Sequence, residues 1–217
     1  MGKIKNKTLK LMDKKSIFIG KNVKIGENVT IYENNRIEGN SVIGDNVVLL
    51  PNNYIVDTII GKGTTLNYSQ TEKAECGENC QIGPFSRLRP NAKLGNEVHI
   101  GNFVEVKNSY VGDGTKACHL AYVGDSDIGK GCNIGCGAIF VNYNGRSKNR
   151  TVVGDNCFIG SNCNIIAPVK IESNSYICAG TTITNDVKED DFVIGRVRQE
   201  VKENRAHNYL KENKENK

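Results

Sequence analysis

Residues 19–50 read IGKNVKIGENVTIYENNRIEGNSVIGDNVVLL, and an aliphatic side chain returns at every sixth position: Ile19, Ile25, Ile31, Ile37, Ile43 and Leu49. An amphipathic helix repeats every 3.6 residues and a half-buried strand every two, and neither gives a spacing of six. A coil of three short strands joined at three corners does. Each aliphatic residue then points into a triangular prism, three hexads close one turn, and successive turns stack as parallel sheets.

The pattern extends outward from this stretch. The first series reaches Ile55, a second runs Ile82, Leu88, Leu94, Ile100, Val106, and a third runs Val153, Ile159, Ile165, Ile171, Ile177, Ile183. Between them the phase slips by a few residues through Ile60 and Leu66, then Val111, Ala117 and Val123, then Ile128, Ile134 and Phe140. The position four residues beyond the aliphatic one is small and apolar: Val23, Val29, Val47, Cys80, Ala92, Cys132, Cys157, Cys163. This reading makes four of the eight cysteines small buried hydrophobes. The pairs Cys76/Cys80 and Cys132/Cys136 have only loosely metal-like spacing and no matching partner pair. The expectation is an all-β chain, a solenoid of about ten coils at residues 16–197, with a basic arm at 1–15 and a polar tail at 198–217.

Composition narrows the function classes. No apolar run approaches the roughly 20 residues of a membrane span, and the N-terminus lacks a signal-peptide hydrophobic region, so the cytoplasm is the expected location. The net charge of +5 is concentrated in residues 1–15, which hold six lysines against one aspartate. A short terminal arm of that kind is solvated rather than a nucleic-acid surface, and no nucleic-acid partner is expected. In such a compartment the cysteines are reduced thiols.

Interruptions of a solenoid must leave its wall and project from a corner. VNYNGRSKNRT, residues 141–151, offers no aliphatic residue at the expected rung and carries Arg146, Lys148 and Arg150, which suit a phosphate as well as they suit solvent. Nearby, Arg89 and Lys107 are 18 residues apart, one turn, so they stack on adjacent coils. Two stacked cations repel unless an anion lies between them or carboxylates such as Glu105 pair with them. KACHLAYVGD, residues 116–125, adds His119 and Tyr122 to the same region.

The segments IGPFSRLRPNAKLGNEVHIGNFVEVKNS, KACHLAYVGDSDIG, NIGCGAIFVNYNGRSKNRTVVGDNCFIGSNCNIIAPV and AGTTITNDV carry a resemblance that is closer than the hexapeptide period alone. They resemble the acetyltransferase domain of the bacterial bifunctional N-acetylglucosamine-1-phosphate uridyltransferase/glucosamine-1-phosphate acetyltransferases, over about residues 12–200. The resemblance implies a left-handed parallel β-helix and an acetyl-CoA-dependent N-acetyltransferase that converts glucosamine-1-phosphate to N-acetylglucosamine-1-phosphate. It assigns His119 as general base. It places Arg89, Lys107, Tyr122, Asn133 and Lys148 on the amino-sugar phosphate, and Cys136, Asn142, Tyr143, Ser161, Ala179 and Arg196 along acetyl-CoA. At 136 many relatives have alanine. It further implies a homotrimer with active sites shared between subunits, and no metal for acetyl transfer. The bifunctional enzymes carry a nucleotidyltransferase domain ahead of the β-helix; fewer than 20 residues precede it here, so a complete chain would lack uridyltransferase activity.

Acetyl transfer to an amine requires the amine to lose a proton, a geometry for attack and stabilisation of the oxyanion. Histidine suits such a base near neutral pH. Cys118 beside His119 raises the alternative of a thiol intermediate, but neighbours on a strand point to opposite sides, which favours direct attack. Two other readings compete. Hexapeptide-repeat carbonic anhydrases bind a metal through three histidines; here His207 lies in the tail, leaving His99 and His119. A non-enzymatic scaffold would keep the aliphatic rungs while losing the polar interruptions. Within the enzymatic reading, another amino sugar or a nucleotide amino sugar is the alternative acceptor.

Overall fold

The computed structural model describes residues 8–210. Short parallel strands stack into three faces. The first face starts with Lys10–Leu11 paired to Thr30–Ile31 and ends with Tyr176–Ile177 paired to Phe192–Val193. The second runs from Phe18–Ile19 up to Thr182–Ile183, and the third from Lys24–Ile25 up to Lys170–Ile171. The repeat period thus produces the expected parallel solenoid.

The register shows why the period had to be six. On the first face Ile31, Leu49, Leu66, Ile82, Ile100, Ala117, Ile134, Ile159 and Ile177 are successive partners, one string through the core. All nine are buried. Each buried aliphatic of this kind contributes about 1.5–3 kcal/mol, and no other element is needed to cover it. Cys80, Cys132, Cys157 and Cys163 are buried as expected, and Cys76 fills a rung itself, between Ile60 and Leu94.

The phase slips are shortened coils. Ile55 pairs with Thr71, and Thr71 with Leu88, so a threonine occupies a rung that the aliphatic series skips. Corners need a left-handed residue, and asparagine, whose short amide tolerates it, holds Asn28, Asn34, Asn46, Asn52, Asn156 and Asn162 at φ 54–64°. Buried corner amides are satisfied along the stack: Asn53 donates to Asn35 Oδ1 at 2.9 Å and accepts from Ser69 N at 2.9 Å.

The solenoid begins earlier than residue 16, because Leu9 and Leu11 pack on its core and Lys10–Leu11 form its first rung. The remainder of the basic arm, residues 1–7, and the last part of the tail, 211–217, lie outside the described residues. Between them, residues 198–210 are exposed and contain one 3-10 turn, Ala206–Asn208. Among the described residues no helix is long and apolar enough to cross a membrane.

Candidate active site

Two strands are nine residues long, His99–Lys107 and Lys116–Gly124. They turn the corner between the first and second faces without losing register, pairing Asn102 with His119, Glu105 with Tyr122 and Lys107 with Gly124. Gly101 permits this close approach, since a Cβ there would lie 1.9 Å from the Cys118 carbonyl oxygen. His119 stands exposed on that corner with Nδ1 3.2 Å from Asn102 Oδ1. An amide oxygen only accepts, so this contact places the proton on Nδ1 and leaves the Nε2 lone pair free. Cys118 faces elsewhere: its Sγ is 3.7 Å from His99 Nδ1. Burial, with the charges of Lys116 and His119, holds the His99 ring below its ordinary pKa.

On the second face the stacking of Arg89 and Lys107 is as the spacing required, because Leu88 and Val106 are register partners. Both cations are paired with carboxylates. Arg89 Nη1 donates to Glu105 Oε1 at 2.8 Å, and Lys107 Nζ lies 3.5 Å from Asp125 Oδ2. Lys148 comes in beside Lys107, whose proximity is the leading reason its ammonium is held below the usual lysine range. Three cations thus meet two carboxylates. The excess positive charge marks an anion site rather than a neutralised patch.

Asp125 organises this cluster and was missed by the sequence reading. Its carboxylate is only 8% exposed and accepts from Asn108 Nδ2 and Asn142 Nδ2 as well as facing Lys107. Burial pushes its pKa up, but those hydrogen bonds and the Lys107 charge outweigh burial and hold it below the ordinary carboxylate value. Asn142 also reaches the Tyr122 hydroxyl at 3.4 Å. Gly124 leaves room for Tyr122 to lie along the face, since a Cβ there would come 2.6 Å from its ring.

The projecting segment is a small antiparallel hairpin. Tyr143 bridges Lys148, Asn149 N donates to Asn142 O at 2.7 Å, and Asn144 Oδ1 accepts from Arg146 N and Ser147 N at 2.9 and 2.8 Å. Of its three cations, Arg150 is not free for a phosphate: its guanidinium is bidentate to Asp127 and bonds Asn108 O at 3.0 Å and Ser126 O at 3.3 Å.

The residues that the resemblance placed along acetyl-CoA fall into two groups. His119, Cys136, Ser161 and Ala179 each lie two residues beyond the register-paired rungs Ala117, Ile134, Ile159 and Ile177, so they form one column up the corner, about 4.8 Å per coil. All four are exposed, and Arg196 Nη1 closes the top by donating to Ala179 O at 2.9 Å. Asn142 and Tyr143 instead belong to the hairpin, Asn142 beside the phosphate-type cluster and Tyr143 exposed with its hydroxyl on Gly145 O at 2.8 Å. Asn133 is apart from Arg89 and Lys107, outward on the first face between Lys116 and Phe158.

Sequence comparison agrees with this geometry. The model for the bacterial transferase hexapeptide (six repeats) matches residues 22–57, 73–108 and 150–185. The bifunctional protein GlmU of Clostridium novyi is 46% identical over 145 residues, 67% of this chain and 32% of that protein. The bifunctional protein GlmU of Caldicellulosiruptor saccharolyticus is 48% identical over 151 residues, 70% of this chain and 33% of that protein. The chain therefore spans about a third of the length of the curated relatives it matches. Among solved structures, LpxA from Bacteroides fragilis, a UDP-N-acetylglucosamine acyltransferase, superposes with a TM-score of 0.55 at 21% identity, covering 82% of this chain and 69% of its own, a likeness of fold. By period, architecture and these matches, the chain belongs to the bacterial hexapeptide-repeat transferases, a left-handed parallel β-helix akin to part of the bifunctional protein GlmU.

Proposed function

We propose that the β-helix is an acetyl-CoA-dependent N-acetyltransferase acting on an amino-sugar phosphate, glucosamine-1-phosphate first among them. The observation that carries this reading is the position of His119, on the corner between an anion cluster and a column of small residues, with Nε2 unencumbered. Arg89, Lys107 and Lys148 hold the phosphate, with Tyr122 and Asn142 beside it. The column of Cys136, Ser161 and Ala179 is low enough for an extended pantetheine arm to run along it toward His119, and Arg196 at its top meets the phosphates of the donor.

In the reaction Nε2 takes a proton from the sugar ammonium as the nitrogen attacks the thioester carbonyl. The tetrahedral oxyanion collapses with loss of CoA thiolate, which the imidazolium reprotonates. Cys118, engaged with His99, takes no part. Asn133 lies on a different face from Arg89 and Lys107, so this reading brings it to the sugar from a neighbouring copy in a homotrimer.

Thiol release from acetyl-CoA, measured against glucosamine-1-phosphate, glucosamine-6-phosphate and glucosamine, tests the proposal. The 1-phosphate is turned over, and His119→Ala costs about 10²–10⁴ in kcat. No turnover, or an unaffected variant, refutes it; an active monomer in sedimentation refutes the shared site. One observation favours a larger acceptor as a second reading. A groove of about 310 Å³ lined by Tyr54, Val56, Gln70, Glu72 and Arg87 continues down the second face from Arg89. A nucleotide-linked amino sugar would fill it, and UDP-glucosamine in the same assay distinguishes the two.

A further inference from the structure

The hairpin that brings Lys148 to the anion cluster is rooted at both ends by two aspartates that flank Ser126. At its first end Asn142 donates to Asp125, and at its last end Arg150 grips Asp127. The second root is the stronger construction. One guanidinium makes two parallel bonds to a carboxylate and two more to the carbonyls of Asn108 and Ser126, so it spans two coils of the solenoid. The partners are mutually matched: bonding to Arg150 is the leading cause holding Asp127 below the ordinary carboxylate range, and bonding to Asp127 is the leading cause raising Arg150.

Between the roots the hairpin is internally braced, by the Tyr143–Lys148 bridge, the Asn149 to Asn142 bond and the Asn144 turn. A braced lever moves as one piece when a root is released. Lys148 sits two residues from Arg150, and its ammonium lies against that of Lys107, a like-charge contact that the lever must enforce. Repulsion of that kind drives the two lysines apart unless the backbone fixes them or an anion arrives.

We propose that Arg150 and Asp127 form a clasp, a pair of positioning residues that hold the hairpin against the second face and force Lys148 onto Lys107, preforming the anion site. Neither side chain touches the substrate. Their effect runs through the hairpin, and it rests on the proposal above that Lys148 binds the sugar phosphate. A preformed pair of cations binds phosphate without first having to bring two like charges together, which lowers the cost of ordering the site. The clasp is specific to a guanidinium, because lysine offers a point charge and cannot make the bidentate fork and the two carbonyl bonds together.

The test compares wild type with Arg150→Ala, Arg150→Lys, Asp127→Ala and the Arg150→Ala/Asp127→Ala double variant. Hydrogen exchange of the hairpin amides at residues 142–149 reads the clasp directly, and titration calorimetry with glucosamine-1-phosphate reads the site without depending on turnover. Each alanine variant accelerates hairpin exchange and weakens the sugar phosphate about tenfold, the double variant is no worse than either single, and lysine restores only part. KM for the sugar phosphate rises in parallel, with kcat within about threefold of wild type. Unchanged exchange in the single variants overturns the clasp. Faster exchange with unaltered affinity overturns the positioning role. Wild type that binds the sugar phosphate but transfers no acetyl group counts against the proposed activity and leaves the clasp to be judged on exchange and binding.

Discussion

Replacing Asp125 by Asn removes one charge and nothing else that the backbone needs. Asp125 sits at φ 48°, a left-handed conformation that Asn also tolerates, and the side chains are equal in size. What is lost is electrostatic. Lys107 Nζ lies 3.5 Å from Oδ2, which at an effective dielectric of 20 corresponds to about 5 kcal/mol of attraction before desolvation is subtracted. Lys107 and Asp125 are 17% and 8% exposed, so most of that desolvation has already been paid in the folded chain and leaving Lys107 unpaired is costly. In the variant, one amide group must also face a donor, Asn108 Nδ2 or Asn142 Nδ2, across a contact that a carboxylate accepts on both oxygens. A net loss of about 2–3 kcal/mol at pH 7 follows, or roughly 5–10 °C in Tm for a chain of this size.

The pH dependence identifies the cause. A carboxyl whose folded pKa lies below its unfolded value stabilises the fold above the unfolded value, near 3.9, and loses that contribution as pH falls through the folded pKa. Urea denaturation at pH 7 and at stepwise lower pH down to 3 therefore shows the gap between wild type and Asp125→Asn narrowing on the acid side. A gap that is the same at both ends of the range, or absent at pH 7, refutes the argument that Asp125 acts through its charge.

Two further outcomes test separate parts of the structure. Asn102→Leu deprives His119 Nδ1 of its acceptor and lets the ring change tautomer; kcat for acetyl transfer falls about tenfold with KM unchanged and an altered pH–rate profile, whereas an unchanged profile removes Asn102 from the site. Thr71→Val replaces a rung residue whose buried Oγ1 has no hydrogen-bond partner, between Ile55 and Leu88, and raises stability by about 1–2 kcal/mol in urea denaturation; a less stable variant means the hydroxyl is satisfied in solution.

The parallel solenoid was legible because a period of six is a property of the chain alone: each rung buries its own aliphatic residue against the coil below and needs no distant partner. Even the stacking of Arg89 on Lys107 could be read as an 18-residue spacing, since one turn has a fixed length wherever no residue is lost. Where a coil is shortened, the arithmetic fails. Thr71 could not be recognised as a rung residue, nor Asn102 as the partner of His119, because the coil joining those two is 17 residues long and only the register reveals which side chains meet. The column of His119, Cys136, Ser161 and Ala179 was likewise hidden, since the hairpin lengthens one of its steps.

Sequence by itself therefore determined the three-faced coil, the burial of its cysteines as small apolar residues and the membership of the polar interruptions in one region. Tertiary structure decided what those interruptions do to each other. Arg146, Lys148 and Arg150 are equivalent cations in sequence, yet Arg150 is spent on Asp127 and Lys148 is pressed against Lys107. The physical reason is that charge pairing depends on distances of 3–4 Å between side chains from different coils, and a repeat fixes the height of each coil but not the path of a loop that leaves it.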